Sequence, residues 1–313
     1  MTSIVAASPS AHALAKPSVR RRALLLLNTQ ARLGAQRADD VIAALHDTGL
    51  DIVRPQTGSS GSVAQTIRRH GNSVDMVIVA GGDGSLHAAA QGLAGTGTPL
   101  GVIPLGTAND FAKTIGLPMD LAGACAVIAA GRTKSIDAGF VNGIYFLTEM
   151  SIGLSPLVAR SVSRQDKAKR GPFALLLQAL RVMRRMRRFR AALVCDGRRH
   201  FLWTAQLTIG NSRHFGGFVA SDEASIDDRR LDLYSIDFRH IWKYLGALRA
   251  LLRRRYDEER GVFTLHGRHF RISTRKPQPI EADGEIVAMT PAKVCVIPSA
   301  ISVFVPDSDA RAR

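Results

Sequence analysis

The amino-acid sequence predicts a three-layer α/β domain on a parallel sheet, followed by an antiparallel β-sandwich. Three observations carry this. Up to about residue 140, apolar strand-like runs at 23–27, 50–54, 75–80 and 100–103 alternate with helix-like stretches. After Asp137 the rhythm changes to short β-rich segments at 144–150, 191–196, 201–210, 231–236, 262–265, 269–273 and 293–297. Two of the early strand runs also empty into polar, glycine-containing loops before a helix. That places both loops on one sheet edge, where open α/β sheets bind ligands.

The elements follow in order. Residues 1–18 are rich in Ala and Ser without periodicity, and Arg20-Arg21-Arg22 follow a weakly apolar start. A signal peptide has the reverse order, so this stretch reads as a tail. The strand at 23–27 ends in Asn28-Thr29, and a helix at 36–48 presents Val41, Ile42 and Leu45 on one face. The strand at 50–54 runs into a loop containing Thr57-Gly58-Ser59-Ser60-Gly61. The run at 75–80 stops abruptly at Gly81-Gly82-Asp83-Gly84-Ser85, and 86–93 favour a helix. A short strand at 134–138 completes the sheet. The predicted units are 19–140 and 141–306, with a second tail at 307–313.

The glycine turn sits between a strand's carboxyl end and a helix's amino end. Backbone N–H groups there lack intrahelical partners and can point at an anion, and glycines let a phosphate approach without a Cβ in the way. Asp83 would repel phosphate unless a cation lay between them, which suggests a metal–nucleotide site. A tight solvated turn is the plainer alternative. The run at 100–103 leads into a second loop, Pro104-Leu105-Gly106-Thr107-Ala108-Asn109-Asp110-Phe111-Ala112.

These two loops at this spacing resemble the diacylglycerol kinase and sphingosine kinase catalytic superfamily, with bacterial lipid kinases as the nearest type, over about residues 21–306. The resemblance implies ATP and Mg²⁺, and a nucleotide site of Asn28, Thr29, Thr57, Gly81, Gly82, Asp83, Gly84, Ser85, Leu86, His87, Ala88, Gly106, Thr107, Asn109 and Asp110. Thr57 reads equally well as a cap for the helix from Ser62 onward. Glu281-Ala282-Asp283-Gly284-Glu285 matches the family's DGE turn, whose proton acceptor would be Glu285, with Asp283 its rival. The segment 221–233 resembles the family's Mg²⁺ loop, with Asp228 as side-chain ligand and Ser225 and Arg230 supplying carbonyls. Residues 210–217 match the glycine-rich stretch before that loop. There are departures: Ser85 stands for the commoner Thr, His87-Ala88 for Asn-Glu, and Arg229 for a turn glycine.

Composition bounds the rest. The chain has 313 residues, 46% hydrophobic and 22% charged, with net charge +16, and its apolar runs fall well short of a membrane span. Such a chain is attracted to polyanions, yet no zinc-finger or RNA-binding motif points to nucleic acid. Cys125, Cys195 and Cys295 lie far apart, as buried thiols of a reducing cytoplasm do. Helices expected at 172–190 and 239–256 carry basic faces that suit an anionic membrane or plain solvent. The functional expectation is a cytoplasmic, peripherally membrane-associated lipid kinase, in one copy or as a homodimer. An NAD kinase-like enzyme and a degenerate lipid- or nucleotide-binding regulator are the alternatives.

Overall fold

The structure is a computed structural model that describes residues 20–28, 37–55, 62–153, 188–211, 214–215, 218–219, 225–237 and 262–307. The first half alternates strand and helix: β1 (Arg22–Leu27), α1 (Ala38–Asp47), β2 (Asp51–Val53), α2 (Val63–His70), β3 (Met76–Gly81), α3 (Asp83–Leu93) and β4 (Leu100–Pro104). Then come α4 (Asp110–Thr114), α5 (Leu121–Ala130) and β5 (Thr133–Val141). Strands β2, β1, β3 and β4 pair in parallel in that order. All six residues of β3 are buried, as a central strand covered on both faces must be. Helices α1 and α5 pack together, as do α2 and α3.

The second half is β6 (Ile144–Phe146), β7 (Glu149–Gly153), β8 (Phe189–Cys195), β9 (Arg198–Thr204), β10 (Gln206–Gly210), β11 (His214–Phe215), β12 (Phe218–Val219) and β13 (Leu231–Ile236). It continues with β14 (Val262–Gly267), β15 (His269–Thr274), β16 (Pro279–Ala282), β17 (Glu285–Met289) and β18 (Ala292–Phe304). One sheet, in the order β14-β13-β10-β7-β16-β17, is antiparallel throughout. It closes over β15, β8 and part of β18, burying Met150, Ile152, Leu193, Leu207, Leu233, Phe270, Ile272 and Ile280 between the layers.

Several elements differ from the sequence expectation. Helix α3 begins at Asp83, so Gly84 and Ser85 lie in its first turn rather than in a loop. The strand expected at 134–138 extends over 133–141 and is antiparallel to β18, so the first sheet is mixed. The runs at 144–150 and 201–210 each split into two strands. Helix α5 and strand β17 carried too weak a periodicity to be read. Of the expected helix at 172–190, residues 172–187 lie outside the described residues, while Phe189 and Arg190 alternate in β8 instead of sharing a helix face. The helix expected at 239–256 lies wholly outside them. Among the described residues no helix is long and apolar enough to cross a membrane.

The two halves share β18, thirteen residues long. Its early part pairs with β15 and β5, and Val303 near its end pairs in parallel with Leu100 of β4. The β5–β6 hairpin is packed tightly. Gly139 faces Phe146, and a Cβ on Gly139 would lie 2.0 Å from the ring. Because Phe146 is fully buried, the ring has no room to yield. Gly139→Ala is therefore expected to destabilise the protein by about 1–3 kcal/mol through overpacking. An unchanged thermal midpoint would contradict this packing.

Candidate active site

Two backbone turns meet at the carboxyl edge of the parallel strands. Gly82 precedes α3 in an extended conformation with no side-chain cap. A Cβ on Gly82 would lie 3.0 Å from Gly106 Cα, and one on Gly106 would lie 2.5 Å from Gly82 Cα. Glycine at both positions is what lets these backbones touch. Gly81 has a similar constraint, with Ser85 Oγ 2.5 Å from where a Cβ would stand. Ser85 Oγ in turn accepts from Asn28 Nδ2 at 2.9 Å. Asn109, left-handed at φ 51°, bonds Gly106 through both ends of its amide, accepting at 2.9 Å and donating at 3.1 Å.

The acid in the first loop faces the second. Asp83 Oδ1 accepts from the Phe111 N–H at 3.2 Å, acting as a cap for α4 supplied from another element. Burial pushes its carboxyl up; the Phe111 and Asp110 amides oppose this, while Asp110 and Asp283 add to it. Leu86 is 2% exposed and points into the hydrophobic core, so only its backbone can meet a nucleotide. Ala88 is half-buried, Thr107 exposed and Asp110 buried. Thr29 and Thr57 lie outside the described residues.

The β16–β17 hairpin closes the other side. Asp283 (φ 47°) and Gly284 (φ 91°) form a two-residue turn with both residues left-handed. The Asp283 side chain is 2% exposed and collects donors from three directions. Oδ1 accepts from Thr148 N at 2.9 Å, Thr148 Oγ1 at 2.6 Å and Glu149 N at 3.2 Å. Oδ2 accepts from Leu147 N at 2.8 Å and lies 3.0 Å from His87 Nδ1 on α3. His87 thus faces the hairpin rather than a nucleotide, and ties α3 to it. Gln91, one turn on, bonds the backbone of Tyr145 with both its oxygen and its nitrogen. Glu285 remains exposed, its Oε1 4.0 Å from where a Cβ on Gly84 would stand. The two carboxylates therefore differ in kind: one is saturated and buried, the other open and aimed at the first turn of α3.

Sequence reasoning missed Glu149 and Asp137, and quoted Glu281 only as part of the stretch leading into the DGE turn. Glu149 is pushed up to about 8 by burial first, then by Glu281, Asp283 and Asp110. Glu281 is buried across the ladder from Ser151. Nothing local marks these acids, since they come together only when β7 pairs with β16. Asp137 is 3% exposed and grips the 225–230 turn. Its Oδ2 accepts from Arg229 N at 2.6 Å and its Oδ1 from Ser299 N at 2.9 Å. Asn211 donates to the Asp137 and Leu147 carbonyls.

In that turn Ser225 Oγ donates to Asp227, which is also paired with Lys134 at 2.7 Å. Asp228 Oδ1 accepts from the Arg230 N–H at 3.0 Å. Burial pushes Asp228 up, against the Arg230 amide, and Asp232 and Asp137 add to the rise. A divalent cation would relieve that repulsion, so the oxygen set of Asp228 with the Ser225 and Arg230 carbonyls fits Mg²⁺ in its chemistry. Among the described residues no three His, Cys, Asp or Glu side chains are grouped to hold a metal. Arg229 takes φ 61°, the conformation that a glycine adopts without strain.

Comparison with known proteins bears on this arrangement. Residues 22–141 match the diacylglycerol kinase catalytic domain model, and 148–305 match the YegS C-terminal NAD kinase beta sandwich-like domain model. The diacylglycerol kinase of Mycobacterium tuberculosis is 30% identical over 280 residues, covering 86% of this chain and 89% of its own. An uncharacterized protein of Synechocystis sp. is 29% identical over 242 residues, or 75% of this chain, which spans only 56% of that relative's length. A crystal structure of a diacylglycerol kinase from Bacillus anthracis superposes with TM-score 0.72 at 20% identity, over 92% of this chain and 98% of the other.

Two expectations follow from the geometry. Arg229→Gly should raise stability by about 0.5–1 kcal/mol by removing left-handed strain, read as a higher midpoint in urea; a lower midpoint would mean that the Arg229 side chain matters more than its backbone. Glu149 holds its proton in the folded state well above the ordinary 4.5. Its contribution is fully present below that value and is lost as pH rises toward about 8, because the unfolded chain releases the proton first. Glu149→Gln should therefore gain on the wild type in thermal midpoint as pH climbs through this window. Parallel curves would exclude a raised Glu149.

Proposed function

This chain belongs to the diacylglycerol kinase family, and from that premise we propose that it transfers the γ-phosphoryl group of ATP to a hydroxyl of diacylglycerol or a related glycerolipid or sphingoid lipid. The observation that carries this reading is the exposed Glu285 carboxylate, aimed at Gly84 in the first turn of α3. A phosphate held by the amino end of α3 and the Gly106 turn would lie beside a free carboxylate, the pairing that phosphoryl transfer to a hydroxyl needs.

Each group then has a task. The uncapped α3 terminus and the touching glycine turns bind the phosphates through backbone N–H groups. Asn28 and Ser85 support the same edge. As the acceptor oxygen bonds to the γ-phosphorus, Glu285 takes the hydroxyl proton, and the bond to the β-phosphate oxygen breaks with its electron pair leaving on ADP. Asp283 does not share this role, because its oxygens are engaged by the 147–149 backbone, Thr148 and His87. It acts by holding Glu285 in place. Asp228 with the Ser225 and Arg230 carbonyls would hold Mg²⁺, which when bound would supply positive charge against the Asp228, Asp232 and Asp137 carboxylates.

Glu285→Gln should lower kcat by a factor of about 10² or more while leaving the thermal midpoint and the KM for ATP nearly unchanged. Asp283→Asn should also lose activity, but with a lowered midpoint, since buried donors are left without an acceptor. A Glu285→Gln enzyme with wild-type kcat on diacylglycerol would sink the assignment. The NAD kinase likeness of the second matched domain makes NAD the necessary comparison substrate, and turnover of NAD without turnover of any lipid would replace this reading.

A further inference from the structure

The face that β8, β9, β15 and β18 turn away from the sandwich core has an unusual composition. Cross-strand register places Arg190 opposite Trp203, Ala192 opposite Phe201, and Val194 opposite both Arg199 and Arg271, with Lys293 next in line. Their neighbours Leu193, Phe270, Ile272 and Val294 face the core and are buried. Period-2 alternation therefore assigns one side of these strands to packing and the other to something else.

That other side is aromatic and cationic. Phe201 is 67% exposed and Trp203 51%, on a strand that ends the sheet. The Arg190 guanidinium stands 5.6 Å from the Phe201 ring centre and Arg188 stands 5.4 Å from that of Trp203. Arg190, Arg199, Arg271 and Lys293 are all exposed. The acids nearby are already engaged. Asp196 accepts from the Arg268 and His269 amides at the β8–β9 turn, and Asp237 pairs with Arg188 at 2.6 Å. The same face carries a groove of about 650 Å³ with apolar walls from Phe140, Val194 and Cys295 and a mixed rim of Asp196, His269, Arg271 and Lys293.

We propose that this sheet face docks on the surface of an anionic phospholipid bilayer, with Trp203 and Phe201 at headgroup depth and Arg190, Arg199, Arg271 and Lys293 against lipid phosphates. Amphipathic aromatic rings settle at the headgroup level of membranes, and cations beside them add electrostatic attraction to anionic lipid. The inference stands independently of the phosphoryl-transfer reading.

The test is co-sedimentation of the full chain with vesicles of phosphatidylcholine alone and of phosphatidylcholine with a third of phosphatidylglycerol. The wild type should pellet with the anionic vesicles, be released by molar salt, and stay in solution with the neutral ones. Phe201→Ala/Trp203→Ala and, separately, Arg190→Glu/Arg271→Glu should each lower the vesicle-bound to free ratio about tenfold or more at unchanged thermal midpoint. Turnover of a short-chain diacylglycerol in detergent micelles should stay at the wild-type level in both. Equal pelleting with neutral vesicles, or wild-type pelleting by both variants, would overturn the proposal. So would a wild-type dimer that the aromatic variant dissociates, or preferential binding of a single-stranded oligonucleotide over the vesicles. No lipid turnover by the wild type, with vesicle binding intact, would overturn the kinase reading alone.

Discussion

The candidate site depends on one buried carboxylate. Asp283 belongs to a hairpin turn, yet its oxygens hold the backbone of residues 147–149, the Thr148 hydroxyl and the imidazole of His87 on α3. A side chain 2% exposed with this many partners is a structural joint, because each donor it satisfies would otherwise be buried without one. The joint connects three parts that come from distant stretches of chain: helix α3, the entry into β7, and the turn carrying Glu285. An exposed glutamate at a turn would ordinarily sample many positions. Here the turn beneath it is immobilised, and only the Glu285 side chain remains adjustable.

The same economy appears in the two glycine turns. Gly82 and Gly106 touch backbone to backbone, so the amino ends of α3 and α4 are held side by side. Asp83 reaches across to the Phe111 amide and Asn109 folds back on Gly106, which binds the two loops into one surface. Strand β18 gives the arrangement its frame, since it pairs with both the parallel sheet and the sandwich. Its ladder with β5 runs from Val294 to Phe304 with a register shift between Ile297 and Ile301, so the same strand edge serves both halves.

Charge is divided by depth. The chain carries net charge +16, yet the cleft side is acidic, with Glu149 pushed up to about 8 in the company of Glu281, Asp283 and Asp110. The positive field of the whole molecule draws in polyanions, while local acids near the cleft disfavour an anion bound without a cation. The outward face of β8 and β9 shows the opposite composition, with arginines lying over exposed aromatic rings.

By itself the sequence determined the class of fold, the two glycine loops and the family, because hydrophobic periodicity and turn residues are local signals. The run at 75–80 reads as a buried strand from its own residues, one position short of the observed Met76–Gly81, and 231–236 reads as a strand as well. The sequence also brought Asp283 and Glu285 forward as a pair, but with one residue between them it had no means to separate their roles. Only the tertiary structure distinguishes their surroundings, with donors from residues more than a hundred positions away around Asp283 and solvent around Glu285. His87 looked like a departure that weakened the nucleotide site, and the fold turned it toward Asp283 instead. Arg229 looked like a lost glycine, and its left-handed backbone supplies the reason a glycine suits that position. The roles of Asp137 and Glu149, and the burial of Glu281 beside Glu149, were illegible for the same physical reason: burial and charge coupling arise between strands, and strand pairing is not written in any local window.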